Sequence, residues 1–191
     1  MALAFSAATS LALAAQAPTG AYQAVMGATG ATGGGAVIGA GGGGASGVGG
    51  TVTAGTLVNM NITKYITEED LATLQAAQGD PKAFADALAK LNCGSVTIGK
   101  QTFQVNAAQS VQAGSEYLIF LLGGKGFLYE AANTPHTLKA GTVGYIRLAV
   151  NSSGKGGGMM YSATAVTLEK NGQIKAGAAA ATATKLNDVH R

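Results

Sequence analysis

The chain has 191 residues, of which 47% are hydrophobic and only 11% are charged, and its formal net charge is +3. This length and hydrophobic content allow one folded core, so we expect a single domain. The basic residues are scattered singly, which argues against nucleic-acid binding, and the longest internal apolar run is far too short to cross a membrane. Lys64 is the first charged residue, so a neutral segment precedes a charged remainder.

Residues 1–17 are apolar and end in Ala15-Gln16-Ala17, which has the small-x-small form of a signal-peptidase site. We therefore expect a signal peptide that lacks the usual basic start, and an exported protein in the periplasm or outside the cell. Either the natural start lies upstream, or the segment is only an alanine-rich tail. The single Cys93 fits an exported protein and a cytosolic one equally.

Residues 18–50 are rich in glycine and alanine and are predicted to be a flexible lead or linker. Within them Gly39, Gly41 and Gly44 have the G-x-G-x-x-G spacing of a dinucleotide-binding loop. That loop must open a helix, and the glycine-rich residues 45–50 cannot form one. We interpret the spacing as chance and predict no cofactor.

Residues 51–191 are predicted to form one β-rich domain, which begins with an alternating strand over residues 51–63. Val58, Met60 and Ile62 lie on one face of this strand, and polar residues that include Asn59 and Asn61 lie on the other. Two short helices follow and form an αα-hairpin. Their predicted N-caps are Thr67 and Asp80, and the inner face of the second helix is predicted to hold Phe84, Ala87, Leu88 and Leu91.

Every segment after residue 94 has the pattern of a strand, and Gly99-Lys100 and Asn171-Gly172 are predicted hairpin turns. The run Tyr117-Leu118-Ile119-Phe120-Leu121-Leu122 is apolar on both faces, so two layers must cover it. The other strands are predicted near residues 96–98, 102–105, 126–129, 141–150, 159–168 and 174–186. The predicted fold is α+β: an antiparallel barrel or sandwich of seven to eight strands with one αα-hairpin, behind a flexible lead.

Several segments carry a resemblance to a known family: Asn61-Ile62-Thr63-Lys64-Tyr65, residues 84–91, Gly94-Ser95-Val96-Thr97-Ile98, Gly154-Lys155-Gly156 and residues 186–191. In these the chain resembles small exported bacterial proteins, known as hypothetical proteins with a helical hairpin and antiparallel strands. The resemblance covers about residues 57–191 with gaps. Members of that family have an Asp-Arg-Pro step after the central strand, where this chain has Gly123-Gly124-Lys125-Gly126. The resemblance implies export and a shared fold, and no activity.

The sequence offers few groups for catalysis or metal binding. His136 lies in a turn, His190 is expected to fray, and Cys93 follows the end of a helix, where the dipole raises a thiol pKa. The acids at 68–70 are explained by a capped helical turn, and the loop at 123–126 lacks the other residues of a phosphate loop. We predict no catalytic, cofactor or metal residues and no enzymatic activity; the ligand-binding residues are unknown.

The leading interpretation is a non-enzymatic binding or structural module, exported to the cell envelope or beyond. One alternative is a self-assembling surface or matrix subunit whose Gly/Ala lead adds a strand to a neighbouring sheet. Another is a barrel that binds a small hydrophobic ligand among interior aromatic residues, although these residues are more often core. Those residues are Phe103, Tyr117, Phe120, Phe127, Tyr145 and Tyr161.

Overall fold

A computed structural model describes residues 16–27, 54–124, 142–163, 166–176 and 184–191. Four predicted features lie outside these residues. They are residues 1–15 of the expected signal peptide, residues 28–50 of the lead with the dinucleotide-like spacing, the strand at 126–129, and His136.

The described residues form eleven strands and two helices. The helices are α1 (Glu68–Ala77) and α2 (Pro81–Ala89). The strands are β1 (Gly20–Met26), β2 (Leu57–Ile62), β3 (Gly94–Ile98), β4 (Gln101–Val105), β5 (Ala107–Ala113), β6 (Glu116–Gly123), β7 (Val143–Asn151), β8 (Gly156–Ala163), β9 (Val166–Leu168), β10 (Ile174–Ala176) and β11 (Thr184–His190).

Nine strands form one antiparallel sheet in the order β4-β3-β2-β1-β11-β8-β7-β6-β5, and β9 and β10 pair separately. The large sheet curls into a nearly closed barrel, which buries its inner face. The predicted α+β class with one αα-hairpin is confirmed. The sheet of the described residues has nine strands rather than seven to eight, and two of the nine, β1 and β5, were not predicted.

The two outermost strands of the sheet, β4 and β5, follow each other along the chain with only Asn106 between them. The Asn106 backbone N–H donates to the Leu122 carbonyl over 2.8 Å. Its side-chain Nδ2 donates to the Leu91 carbonyl over 3.0 Å, and its Oδ1 accepts from the Gly124 N–H over 2.8 Å. One bent stretch of chain therefore brings the two edges of the sheet together at Asn106.

Strand β6 is covered on both faces, as its sequence predicts. Ile119 and Leu121 lie on one face and Phe120 and Leu122 on the other, and each of the four is at most 1% exposed. On the face of Phe120 lies Tyr145, whose hydroxyl donates to the Ile174 carbonyl of β10 over 2.9 Å. The β9–β10 hairpin thus forms an outer layer over this part of the barrel.

The helical hairpin begins at the predicted caps. Thr67 and Asp70 form a capping box, with the Asp70 N–H donating to Thr67 Oγ1 and the Thr67 N–H donating to Asp70 Oδ2. Asp80 caps α2 ahead of Pro81. Helix α1 is held against β9 because Gln75 Nε2 donates to the Leu168 carbonyl over 3.2 Å. Neither helix of the described chain is long and apolar enough to cross a membrane.

Residues 20–26 differ from the expectation that 18–50 form a flexible lead. They form β1, a central strand between β2 and β11, with Tyr22, Ala24 and Met26 buried. Ala17 is also buried, and its backbone N–H donates to Ser110 Oγ over 2.9 Å. The overall glycine and alanine content of residues 18–50 predicted a linker, although residues 20–26 alternate between buried and outward-facing side chains as a strand requires.

Candidate functional site

The candidate groups for catalysis are not brought together in the described chain. Cys93 is 1% exposed, and burial raises the pKa of its thiol, so the reactive thiolate is disfavoured. His190 does not fray but lies in β11 with its side chain exposed. No group of three or more His, Cys, Asp and Glu side chains in the described residues is placed to hold a metal ion.

The aromatic residues proposed for a ligand cavity are packed in the described structure. Phe120 and Tyr145 are at most 2% exposed, and the rings of Tyr145 and Tyr161 lie 4.8 Å apart. Phe103 and Tyr117 are partly buried against the same core, and Phe127 lies outside the described residues. These aromatic side chains contribute to the hydrophobic core.

A shallow groove of about 300 Å³ lies on the outer face of the sheet, across β1, β2 and β3. Its lining carries uncharged amide and hydroxyl side chains, but the larger part of its accessible surface is apolar, and Ala21, Tyr22 and Met60 are among the lining residues. The polar side chains are Gln23, Asn59, Asn61, Ser95 and Thr97, with His190 and Arg191 at one side. We call this set the polar groove.

The alternation of β2 positions the amides of the polar groove. Val58, Met60 and Ile62 are at most 1% exposed inside the barrel, so Asn59 and Asn61 must point outwards. Strands β1 and β3 have the same alternation and pair with β2 on either side. The result is a sheet face on which polar side chains from three strands lie next to one another.

A β-bulge in β11 turns His190 towards the polar groove. Between Leu186 and Val189, β11 contains one residue more than the part of β8 that it pairs with. Between Asn187 and His190, it likewise contains one residue more than the part of β1 that it pairs with. Asp188 is the extra residue, with φ of 50°, the only positive φ among the described non-glycine residues. Bulges of this kind re-aim the following side chains. Val189 is therefore buried, and His190 lies opposite Gln23 on the outer face.

Hydrogen bonds between neighbouring strands orient the side chains of the polar groove. Gln23 Nε2 donates to Asn59 Oδ1 over 2.7 Å, and the hydroxyl oxygens of Thr97 and Thr102 lie 2.9 Å apart. His190 Nδ1 lies 2.8 Å from the Asp188 carbonyl oxygen. Because a carbonyl oxygen can only accept, Nδ1 carries a proton, and Nε2 of the neutral ring is an acceptor for a ligand.

No Asp or Glu side chain is among the described residues that line the groove, and the Arg191 guanidinium brings a positive charge to its side. Burial raises the pKa of Tyr22, and the guanidinium of Arg191 acts in the opposite direction. The Tyr22 hydroxyl donates to the Pro18 carbonyl over 2.6 Å. The site therefore suits polar ligands that are neutral or weakly anionic, and disfavours cations.

Comparisons of the chain with protein-family models, with curated proteins and with solved structures found no match. The site is thus interpreted from its own chemistry. Sequence reasoning missed most of it, because β1 lay within the expected lead and His190 was expected to fray. The sequence feature that indicates the polar groove is the outward face of β2, on which Asn59 and Asn61 alternate with buried residues.

Proposed function

We propose that the protein is a non-enzymatic binding module that recognises hydroxyl-rich ligands, carbohydrates above all, in its polar groove. The observation that carries the proposal is the outward face of β1–β3, where uncharged amides and hydroxyls converge on one groove and a bulge turns His190 towards it. Export to the cell envelope or the extracellular space is part of the same proposal and is motivated by the apolar residues 1–17.

The hydrogen-bonding groups of the groove favour a sugar. Asn59 uses its Oδ1 to accept from Gln23, so its Nδ2 offers two donors, and Gln23 Oε1 offers an acceptor. A sugar hydroxyl both donates and accepts, so adjacent hydroxyls of one ring can bond both amides. The amides are already oriented by their mutual hydrogen bond, which reduces the entropy lost when a ligand binds.

The other two interpretations have less support from the described residues. Large side chains such as Tyr22, Met60 and Ile119 are less than 2% exposed inside the barrel, which leaves a hydrophobic ligand little room there. Residues 20–26 of the lead already pair with β2 and β11 of their own chain. Strand addition by residues 28–50 stays a prediction.

The test is binding of the purified protein to an array of neutral and acidic saccharides, followed by titration calorimetry with the best ligand. Asn59→Ala removes the central amide and should weaken binding about tenfold, since one or two hydrogen bonds are lost. Gln112→Ala is the matched control, because Gln112 is an exposed amide on β5 whose Nε2 donates within its own turn, to the Gly114 carbonyl. Binding to no saccharide, or equal binding by Asn59→Ala and the native protein, would overturn the proposal.

A further inference from the structure

Residues 17 and 18 are part of the folded barrel. Ala17 is 3% exposed, and its backbone N–H donates to Ser110 Oγ over 2.9 Å. The Pro18 carbonyl accepts from the Tyr22 hydroxyl over 2.6 Å. Ser110 is itself buried on the edge strand β5, whereas Tyr22 lies in the central strand β1. The two residues therefore anchor the start of β1 and tie it to β5.

This anchor bears on where a signal peptide would be removed. We propose that a signal peptidase cleaves the chain between Ala14 and Ala15, so that the exported protein keeps the anchor. Ala12-Leu13-Ala14 has a small-x-small form and lies three residues upstream of the similar site that ends at Ala17. The inference rests on the export that is part of the proposed function, and it moves the cleavage site away from Ala17.

The two candidate bonds differ in the residue that follows them. Pro18 follows Ala17, so a cut there must break a tertiary amide whose nitrogen belongs to the proline ring. The ring carbons crowd this nitrogen, which must take up a proton as it leaves the carbonyl carbon. The bond after Ala14 is an ordinary secondary amide. Its hydrolysis consumes one water, whose hydroxyl joins the Ala14 carbonyl carbon while the Ala15 nitrogen leaves with a proton as an amine.

The new amino group also favours the upstream cut, because it carries a positive charge at neutral pH. A cut after Ala17 would remove the donor to Ser110 Oγ and place the charge on Pro18, which is half-buried. Burying a charge costs free energy unless the charge is paired. A cut after Ala14 places the charge on the residue next to Gln16, which is exposed, so water can solvate it.

The experiment is incubation of the full chain with a purified bacterial signal peptidase in detergent micelles, followed by intact mass measurement and amino-terminal sequencing. We expect one main product, which begins at Ala15. Ala14→Leu should abolish this product, since a large side chain replaces the small residue before the cut. Ala17→Leu is the matched control, because it makes the same change at the other site and should leave the cut after Ala14 unchanged.

Two further variants test the reasons for this choice of site. Pro18→Ser removes the ring and should yield a second product that starts at position 18; a single product would overturn the part assigned to the ring. Ser110→Ala in the full chain should raise the equilibrium constant for unfolding about tenfold, because the Ala17 N–H loses a buried acceptor. Ser152→Ala is its control, since Ser152 is exposed in the turn between β7 and β8. Equal stability of both variants would contradict the anchor.

The possible results separate this inference from the proposed function. A main product that begins at Pro18, or an Ala14→Leu variant that is cut as the native chain is, would overturn the upstream site while leaving export in place. Absence of any cleavage within residues 1–18 would overturn both the site and the export part of the proposed function. Saccharide binding in the polar groove is tested separately, on the array.

Discussion

His190 donates a hydrogen bond to Asp188 within one strand, with its Nδ1 2.8 Å from the Asp188 carbonyl oxygen. Asp188 can present that carbonyl because it adopts a left-handed conformation, with φ of 50°. Aspartate tolerates this conformation better than most residues, since its short side chain can bond locally. The bulge therefore fixes both the direction of His190 and the nitrogen that bears its proton.

The conformation of Asp188 gives the first prediction. Asp188→Val should lower the free energy of unfolding by about 1–2 kcal/mol, because a β-branched residue is strained at positive φ. Asp188→Gly should change it by less than about 1 kcal/mol, since glycine adopts this conformation without strain but loses more entropy on folding. Urea denaturation measures both. Equal stability of the valine and glycine variants would show that the bulge does not constrain this residue.

Asn106 gives the second prediction, because its side chain bonds the Leu91 carbonyl and the Gly124 N–H at the point where the edge strands β4 and β5 meet along the chain. Asn106→Ala should cost about 2–3 kcal/mol of unfolding free energy, since the Leu91 carbonyl and the Gly124 N–H both lose a partly buried hydrogen bond. Gln104→Ala is the matched control. Gln104 donates to the same Leu91 carbonyl over 2.9 Å from an exposed position, so its loss should cost under about 1 kcal/mol. A smaller effect at Asn106 than at Gln104 would contradict this account of closure.

The glycines of β8 give the third prediction. A Cβ on Gly156 would lie 1.9 Å from the Ala149 carbonyl oxygen, whereas a Cβ on Gly157 would lie 3.5 Å from the Leu186 carbonyl oxygen. Gly156→Ala should therefore destabilise the protein by about 2 kcal/mol or more, because the paired strand β7 would have to move. Gly157→Ala should be neutral or stabilising by about 0.5–1 kcal/mol. Thermal denaturation of the two adjacent variants checks this, and a reversed order would refute it.

Local sequence signals predicted those parts of the fold that short segments determine. The capping residues Thr67 and Asp80 and the alternation of β2 each act within a few residues, and the structure confirms them. The turn at Asn171-Gly172 was also correct, with Gly172 at φ of 84°. These features depend on side-chain capping and backbone sterics, which are visible without knowledge of the rest of the chain.

The features that the sequence did not reveal depend on distant strands. Strand β1 forms because Tyr22, Ala24 and Met26 bury their side chains in a barrel made by other strands, and its composition alone predicted a linker. The bulge at Asp188 appears only when β11 is aligned with both β1 and β8. The polar groove depends on both β1 and the bulge in β11. Only its amide face on β2 could therefore be predicted from the sequence.

Two buried tyrosines give the last prediction, which concerns pH. The Tyr65 hydroxyl is buried beside the Ser110 side chain without a well-formed hydrogen bond to it. The Tyr145 hydroxyl, in contrast, donates to the Ile174 carbonyl. Tyr65→Phe should therefore be neutral or stabilising at pH 7, and Tyr145→Phe should cost about 1–2 kcal/mol, because it leaves a buried carbonyl unpaired.

Burial also raises the pKa of both phenols above the ordinary value of 10.0. A raised folded-state pKa contributes stability that is present below pH 10 and is lost as the pH rises above it, because the unfolded chain ionises first. The native protein should thus lose stability between pH 9 and pH 11, and Tyr65→Phe should lose less. Urea denaturation at a series of pH values measures this difference. An equal alkaline loss in the native protein and Tyr65→Phe would show that Tyr65 ionises as readily in the folded chain as in the unfolded one.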